Sequence, residues 1–198
     1  MEDDLPLDAD PLDELARWCE EAERSGSPQP DAMVLATATR QGIPSARFVL
    51  EKGVDRQGIR FYTNFQSRKG RELDENPRVA LVFYWASLAR QARVEGTALR
   101  LSWADSNRYF QTRPRESQLA AWASPQSSPV GSLEELEAKV AELARQYEGK
   151  EIPCPPFWGG FRVVPETIEF WVSRPARLHD RVRYTRIAEG WRAERLAP

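Results

Sequence analysis

Apolar residues recur at helical intervals near the start of the chain, at Leu12, Leu15, Ala16, Cys19 and Ala22. Asp10-Pro11 supplies a cap and a proline at the first helical position, so the spacing predicts an amphipathic helix there. After the breaker run Ser25-Gly26-Ser27-Pro28, positions 33–37 and 46–52 have strand composition, joined across Gln41-Gly42-Ile43-Pro44. A third strand runs from Ile59 to Thr63, and Ser67 caps a short helix through Leu73. Strands over 79–84 and 91–101 follow, then helices opened by Ser102 and Pro114. Ser132 and Glu135 form a capping box ahead of a longer helix, with Leu133, Leu136, Val140, Leu143 and Tyr147 on one face. Two strands, 161–164 and 168–172, and a last hairpin over 181–186 and 191–195 complete the pattern.

Consecutive hairpins with helices inserted between them predict a β-rich α+β fold, an antiparallel barrel with peripheral helices, and not a doubly wound sheet. No glycine-rich nucleotide fingerprint occurs. With 198 residues and no obvious linker, the chain reads as one domain over 1–198, residues 1–9 forming a short acidic arm.

Composition narrows the function classes. The chain is 41% hydrophobic and 29% charged, with a net charge of −2. Its first 31 residues are acidic and 174–195 basic, a balance that argues against general nucleic-acid binding. No apolar run approaches a membrane span of about 20 residues, and Met1-Glu2-Asp3-Asp4 is unlike a signal peptide, so a cytoplasmic location is expected. Cys19, Cys154 and the single histidine, His179, lack the spacing of a structural zinc site. Of 28 basic residues all but Lys52, Lys69, Lys139 and Lys150 are arginine, the residue suited to two-point contact with phosphate.

One local conflict points to chemistry. Arg68 and Lys69 fall in the first turn of the helix capped by Ser67, where exposed N–H groups already carry partial positive charge. A bound phosphate resolves the conflict; two solvated side chains would be the blander reading. A second candidate clamp combines Lys52 with Tyr109 and Arg113, four apart on one helix face, and with Ser117 beyond Pro114. Singly, these are more often a core-edge ring, a solvated helix end and a surface hydroxyl, so only their convergence would signify function.

Several segments occur together in a familiar order. They are Arg47-Phe48-Val49-Leu50-Glu51-Lys52, Phe61-Tyr62-Thr63-Asn64 with Ser67-Arg68-Lys69, and Tyr109 with Arg113-Pro114-Arg115-Glu116-Ser117-Gln118. Gln126-Ser127-Ser128, Phe157-Trp158-Gly159-Gly160, Ile168-Glu169-Phe170-Trp171 and Arg177-Leu178-His179-Asp180-Arg181 follow. Each is weak alone, but in this order, from about Asp10 to Pro198, they resemble the pyridoxine/pyridoxamine 5′-phosphate oxidase family. The resemblance implies an FMN-binding split barrel that works as a homodimer, with the flavin at the subunit interface. Contacts to FMN would come from Arg47, Lys52, Tyr62, Thr63, Arg68, Lys69, Gln91, Gln126, Ser127, Trp171 and Arg181. Lys52, Tyr109, Arg113 and Ser117 would hold the substrate phosphate, while Arg177 and His179 reach the pyridine ring as the catalytic pair. The implied reaction takes hydride from substrate C4′ to the flavin, and O2 then reoxidises the flavin to give H2O2.

Three departures stand out. The arm before Asp10 is short and acidic where the family carries a longer basic one. Glu51 replaces an apolar residue and shares a face with Arg47, which makes it a candidate ion-pair partner. Gly70 weakens the early helix. Alternatives are a related flavin oxidase acting on a non-vitamin substrate such as a phenazine precursor, and a non-catalytic binder of FMN or pyridoxal phosphate. Turnover of pyridoxine 5′-phosphate with peroxide release separates them.

Overall fold

The computed structural model describes Leu5 and residues 7–198; of the expected arm, Met1–Asp4 and Pro6 lie outside the described residues. Helix α1 (Pro11–Arg24) starts where the Asp10 carboxylate accepts the Leu12 N–H at 2.9 Å. Its apolar stripe, Leu12, Leu15, Trp18 and Ala22, is buried against the sheet, with the Trp18 ring edge-on to Phe170 at 4.8 Å.

Strands β1 (Ala32–Ala38) and β2 (Pro44–Leu50) form a hairpin from Ala32 opposite Leu50 to Ala38 opposite Pro44. A two-residue strand absent from the sequence reading, β3 (Val54–Asp55), precedes β4 (Gly58–Asn64) and helix α2 (Arg68–Glu75). Strands β5 (Arg78–Trp85) and β6 (Arg90–Arg100) pair next, followed by α3 (Trp103–Thr112), α4 (Arg115–Ala123) and α5 (Leu133–Gln146). Strand β7 (Trp158–Val172) and the hairpin of β8 (Asp180–Ile187) and β9 (Gly190–Arg195) end the chain.

Among the described residues nine strands form one antiparallel sheet, ordered β2-β1-β5-β6-β7-β4-β3, with β8 also on β7 and β9 on β8. The Lys52 N–H donates to the Arg60 carbonyl at 2.8 Å, and the Arg60 N–H to the Gly53 carbonyl at 2.9 Å. These bonds tie the chain leaving β2 to β4 and curl the sheet into a barrel. Met33, Leu35, Phe61, Leu81, Phe83, Val94, Val163 and Phe170 fill its interior. Each such side chain contributes about 1.5–3 kcal/mol by leaving water.

Strand β7 causes the split. Along one edge it pairs with β6; along the other, Trp158–Val163 pairs with β4 and Thr167–Val172 with β8. The sequence reading placed two strands here, broken at Pro165, whereas the structure has one. Glu95 faces Thr167 while Gly96 faces Pro165, so Glu166 is the extra residue of a bulge, where a proline without an N–H is tolerated. Gly96 permits the approach, because a Cβ there would sit 2.2 Å from the Val164 carbonyl oxygen.

A second apolar cluster, Phe110, Leu119, Ile152, Cys154 and Trp158, lies under the helices. Val140 and Leu143 of α5 and Tyr147 just past its end pack on it as the helical spacing implies, but Leu133 and Leu136 in the first turn do not.

Candidate functional site

The Ser67 hydroxyl accepts the Gly70 N–H at 3.2 Å and donates to the Asn64 carbonyl at 2.7 Å, so α2 begins as its sequence implies. Gly70 is required rather than merely tolerated: a Cβ there would lie 2.1 Å from the Phe65 carbonyl oxygen. Within this turn the two basic residues have different fates. Arg68 is taken up by Glu72 of its own helix at 2.8 Å. Lys69 is buried, and among the described residues its ammonium meets only neutral oxygens, Gln126 Oε1 at 3.0 Å and Thr63 Oγ1 at 3.3 Å. Burial, then the charge of Arg47, lowers its pKa to about 8. A buried ammonium beside an arginine and without a carboxylate is a place for an anion.

Glu72 organises the floor of this region. Arg47 reaches it at 3.3 Å, and the hydroxyls of Thr37 and Ser45 donate to the same carboxylate oxygen. Burial opposes ionisation, but hydrogen bonds from Ser45, Thr37 and Arg68 together with the Arg47 charge outweigh it and hold this carboxyl at about 2. The partner of Arg47 is therefore Glu72 and not Glu51. The Glu51 side chain turns back to accept the Gly53 N–H, and burial raises its pKa.

Lys52, Tyr62, Thr63, Lys69, Tyr109, Arg113 and Gln126 converge on one cavity of about 270 Å³, with Trp158 in its wall. Tyr62 stacks on Tyr109 at 3.8 Å and on Trp158 at 5.5 Å between ring centroids. Gly160 opposite Tyr62 allows this, since a Cβ would lie 2.7 Å from the Tyr62 ring. The Arg113 guanidinium lies 4.7 Å from the Trp158 ring centroid, and its buried Nη1 has no hydrogen-bond partner. Burial lowers the pKa of Arg113. An unpaired guanidinium nitrogen at this depth costs stability unless an acceptor arrives, which makes Arg113 the second anion-seeking group of the cavity. Lys52 pairs with Asp31 at 2.6 Å. Ser117 is half-buried in the first turn of α4, and exposed Ser127 holds a positive φ of 70°.

The remaining candidates lie elsewhere. Gln91, Trp171 and Arg181 sit side by side across β6, β7 and β8. Their neighbours in each strand, Ala92, Phe170 and Val182, point into the core, so this row belongs to the outer face. Arg181 is held by Glu169 at 2.8 Å and by the Ala197 carbonyl at 2.8 Å. The His179 ring lies 4.6 Å from that of Trp171, and its Nδ1 accepts the Arg174 N–H at 3.2 Å, leaving Nε2 to carry the proton of neutral imidazole. Exposed Arg177 ends a 3-10 turn in which Ala176 and Arg177 hold φ of 55° and 60°. Non-glycine residues in that region are strained, and such strain concentrates at sites of function. Gly160, beside Tyr62, and Trp171 are eleven residues apart on β7, about 36 Å of strand at roughly 3.3 Å per residue.

Comparison with known proteins places this geometry. Residues 19–147 match the family model described as pyridoxamine 5′-phosphate oxidase, and residues 158–198 match the pyridoxine 5′-phosphate oxidase C-terminal dimerisation region. The chain belongs to the pyridoxine/pyridoxamine 5′-phosphate oxidase family. Relatives bearing that enzyme name include one from Rubrobacter xylanophilus, 60% identical over 96% of this chain and 88% of its own length. Another, from Synechocystis, is 49% identical over 95% of this chain and 88% of its own. Among solved structures, PhzG from Burkholderia lata 383, in complex with tetrahydrophenazine-1-carboxylic acid, superposes with a TM-score of 0.92. It is 34% identical and covers 98% of this chain and 95% of its own. A pyridoxamine 5′-phosphate oxidase-related, FMN binding protein from Nostoc punctiforme shares the fold at a TM-score of 0.77 and 17% identity, over 96% of this chain and 99% of its own.

For an oxidase of this family, Trp171, Arg177, His179 and Arg181 all fall within the dimerisation region. Two contributors escaped the sequence reading: Glu72, visible as the i+4 partner of Arg68, and Asp31, which nothing local marked; Trp158 stood there only within the segment Phe157-Trp158-Gly159-Gly160, with no role assigned. No helix among the described residues is long and apolar enough to cross a membrane.

Proposed function

We propose that this chain is an FMN-dependent oxidase that converts pyridoxine 5′-phosphate and pyridoxamine 5′-phosphate to pyridoxal 5′-phosphate. It would work as a homodimer of single-domain subunits in the cytoplasm, with O2 as electron acceptor and H2O2 as product. The observation that carries the reading is the pair of cations in one cavity, buried Lys69 without a carboxylate and half-buried Arg113 with a buried, unpaired Nη1. A phosphorylated cofactor and a phosphorylated substrate meet these two needs separately.

Lys69 and Arg68 at the α2 start, with Arg47, Thr63, Gln126 and Ser127, would hold the FMN phosphate side. Tyr62 and Lys52 would border the bound flavin. Gln91, Trp171 and Arg181 would complete the cofactor site from the other subunit. Lys52, Tyr109, Arg113 and Ser117 would grip the substrate phosphate, with Lys52 exchanging Asp31 for it. The flavin supplies the two-electron acceptor for hydride from C4′. Arg177 and His179 orient the pyridine ring and keep C4′ in reach, a role for which position matters more than acid strength.

The likeness to PhzG favours one second reading, oxidation of a non-vitamin ring acid. Identity with the vitamin-phosphate relatives is higher, and three groups lining one cavity, Lys52, Tyr109 and Arg113, suit a dianionic phosphate better than a carboxylate. Oxygen uptake by the yellow purified protein decides. Pyridoxine 5′-phosphate should drive stoichiometric peroxide release and unphosphorylated pyridoxine should not; equal turnover of the two would overturn the proposal.

A further inference from the structure

Beyond the stacked Tyr62–Tyr109 pair lies a larger cavity of about 460 Å³, which shares those rings and Lys52 with the first. Arg60, Arg108 and Arg162 line it. Three guanidiniums here meet two carboxylates. Asp105 takes Arg108 at 2.8 Å, while Asp55 is divided between Arg162 at 3.4 Å and Arg60 at 3.7 Å. Charge-assisted N–H···O contacts usually close to about 2.7–2.9 Å, so Asp55 satisfies neither arginine well. The Nε atoms of Arg60 and Arg162 are both buried without a hydrogen-bond partner. Lys52 leaves the balance unchanged, since its ammonium is matched by Asp31 at 2.6 Å. The cavity therefore has surplus positive charge and orphaned planar donors.

We propose that this cavity is a second anion subsite, taking a phosphate monoester or free phosphate beside the substrate clamp. A tetrahedral dianion offers enough acceptor oxygens to engage three guanidiniums at once, which a single carboxylate does not. The volume also admits a ring attached to the phosphate. The subsite's role in catalysis rests on the function proposed above: it holds the incoming substrate across the wall of Lys52, Tyr62 and Tyr109 from Arg113 and raises its local concentration.

The test uses the flavin-loaded full-length protein. In a 31P NMR titration, inorganic phosphate should broaden on binding to the Arg113→Gln variant, in which the clamp is disabled. Adding Arg108→Gln, a substitution at a side chain 75% exposed, should weaken that binding, and Arg60→Gln should weaken it further. In the otherwise unaltered enzyme, Arg60→Gln with Arg108→Gln should lower kcat/KM for pyridoxine 5′-phosphate about 10-fold at low salt, with kcat unchanged and the gap closing at high salt. Phosphate binding that moves with the arginines while kcat/KM does not upholds the subsite with free phosphate as its ligand. Binding abolished by Arg113→Gln alone, or indifferent to both arginine substitutions, overturns it. Because the titration needs no turnover, it stands even if the protein oxidises a different substrate.

Discussion

The cavity around Lys69 and the outer row Gln91–Trp171–Arg181 are built on opposite principles. The cavity is assembled within one chain: β4, α2, α3 and the loop at Gln126 deliver side chains to a common space and leave two cations unmatched. The outer row is flat, faces away from the core and encloses nothing by itself. Toward β5 and β2 the outer face is apolar, with Tyr84 next to Gln91 and Phe48 and Leu50 standing 74% and 46% exposed, while the next row along the strands, Arg93, Glu169 and Arg183, is charged. A side chain on an exposed sheet face gains a binding role only when another surface closes over it. On the function proposed above, half of the cofactor site would come from each of two copies.

The largest effect is expected on the cavity side. Replacing both Arg68 and Lys69 by alanine removes two charge-assisted contacts of about 1.5–3 kcal/mol each, so FMN affinity should fall 100-fold or more. Lys69→Ala alone should account for most of it, because Arg68 is shared with Glu72. Fluorescence titration with FMN and riboflavin checks this, and equal affinities for the two in the unaltered protein would remove the phosphate site.

Next come the substrate residues, which separate binding from positioning. Arg113→Ala should raise KM about 10-fold to 100-fold with little change in kcat, because the phosphate it is proposed to grip is unaltered by the reaction. Arg177→Ala should lower kcat as well, and His179→Ala should fall between them. Anaerobic single-turnover kinetics on variants that still hold FMN reads both quantities. A normal rate of flavin reduction in saturated Arg177→Ala would show that another residue sets the approach.

A smaller effect follows from protonation. Lys69 must be charged to hold a phosphate, and its pKa without ligand is lowered to about 8 by burial and then by Arg47. FMN affinity should be flat below that pH and fall up to about tenfold per unit above it, until the pKa of the bound state is reached. Lys69→Arg should abolish the dependence; its persistence would point to a different titrating group. Least of all, Glu72→Gln should remove an acid-sensitive contribution to stability. With its carboxyl lowered to about 2 from 4.5, Glu72 stabilises the fold above its unfolded value, and that stabilisation is lost as pH falls toward 2. Melting curves of the two proteins should converge at the acid end.

Much of the cavity could be read from sequence because its determinants are local. Asp10, Ser67, Ser102 and Ser132 cap helices as their positions imply, and Tyr109 and Arg113 share a helix face. The parts that local signals do not carry depend on register between strands. That Gln91, Trp171 and Arg181 form one row is fixed by how β6, β7 and β8 align, including a bulge at Glu166 that no local signal marks. The same bulge turned one long strand into two in the sequence reading, because proline normally ends a strand and here lies where a ladder bond is already missing. Glu51 was paired with Arg47 by strand alternation alone, while the competing carboxylate, Glu72, comes from a helix packed behind β1 and β2.

Mixing two inactive variants tests the central claim most directly. Lys69→Ala breaks the cavity half and Arg181→Ala the outer half of each site. If the halves come from different subunits, a mixed dimer has one site with both faults and one with neither. Unfolding and refolding an equal mixture, so that subunits exchange, should restore high-affinity FMN binding and oxidase activity to about a quarter of all sites. If both halves served the same subunit, every site in every dimer would keep one fault, and a mixture no better than its components would contradict the account.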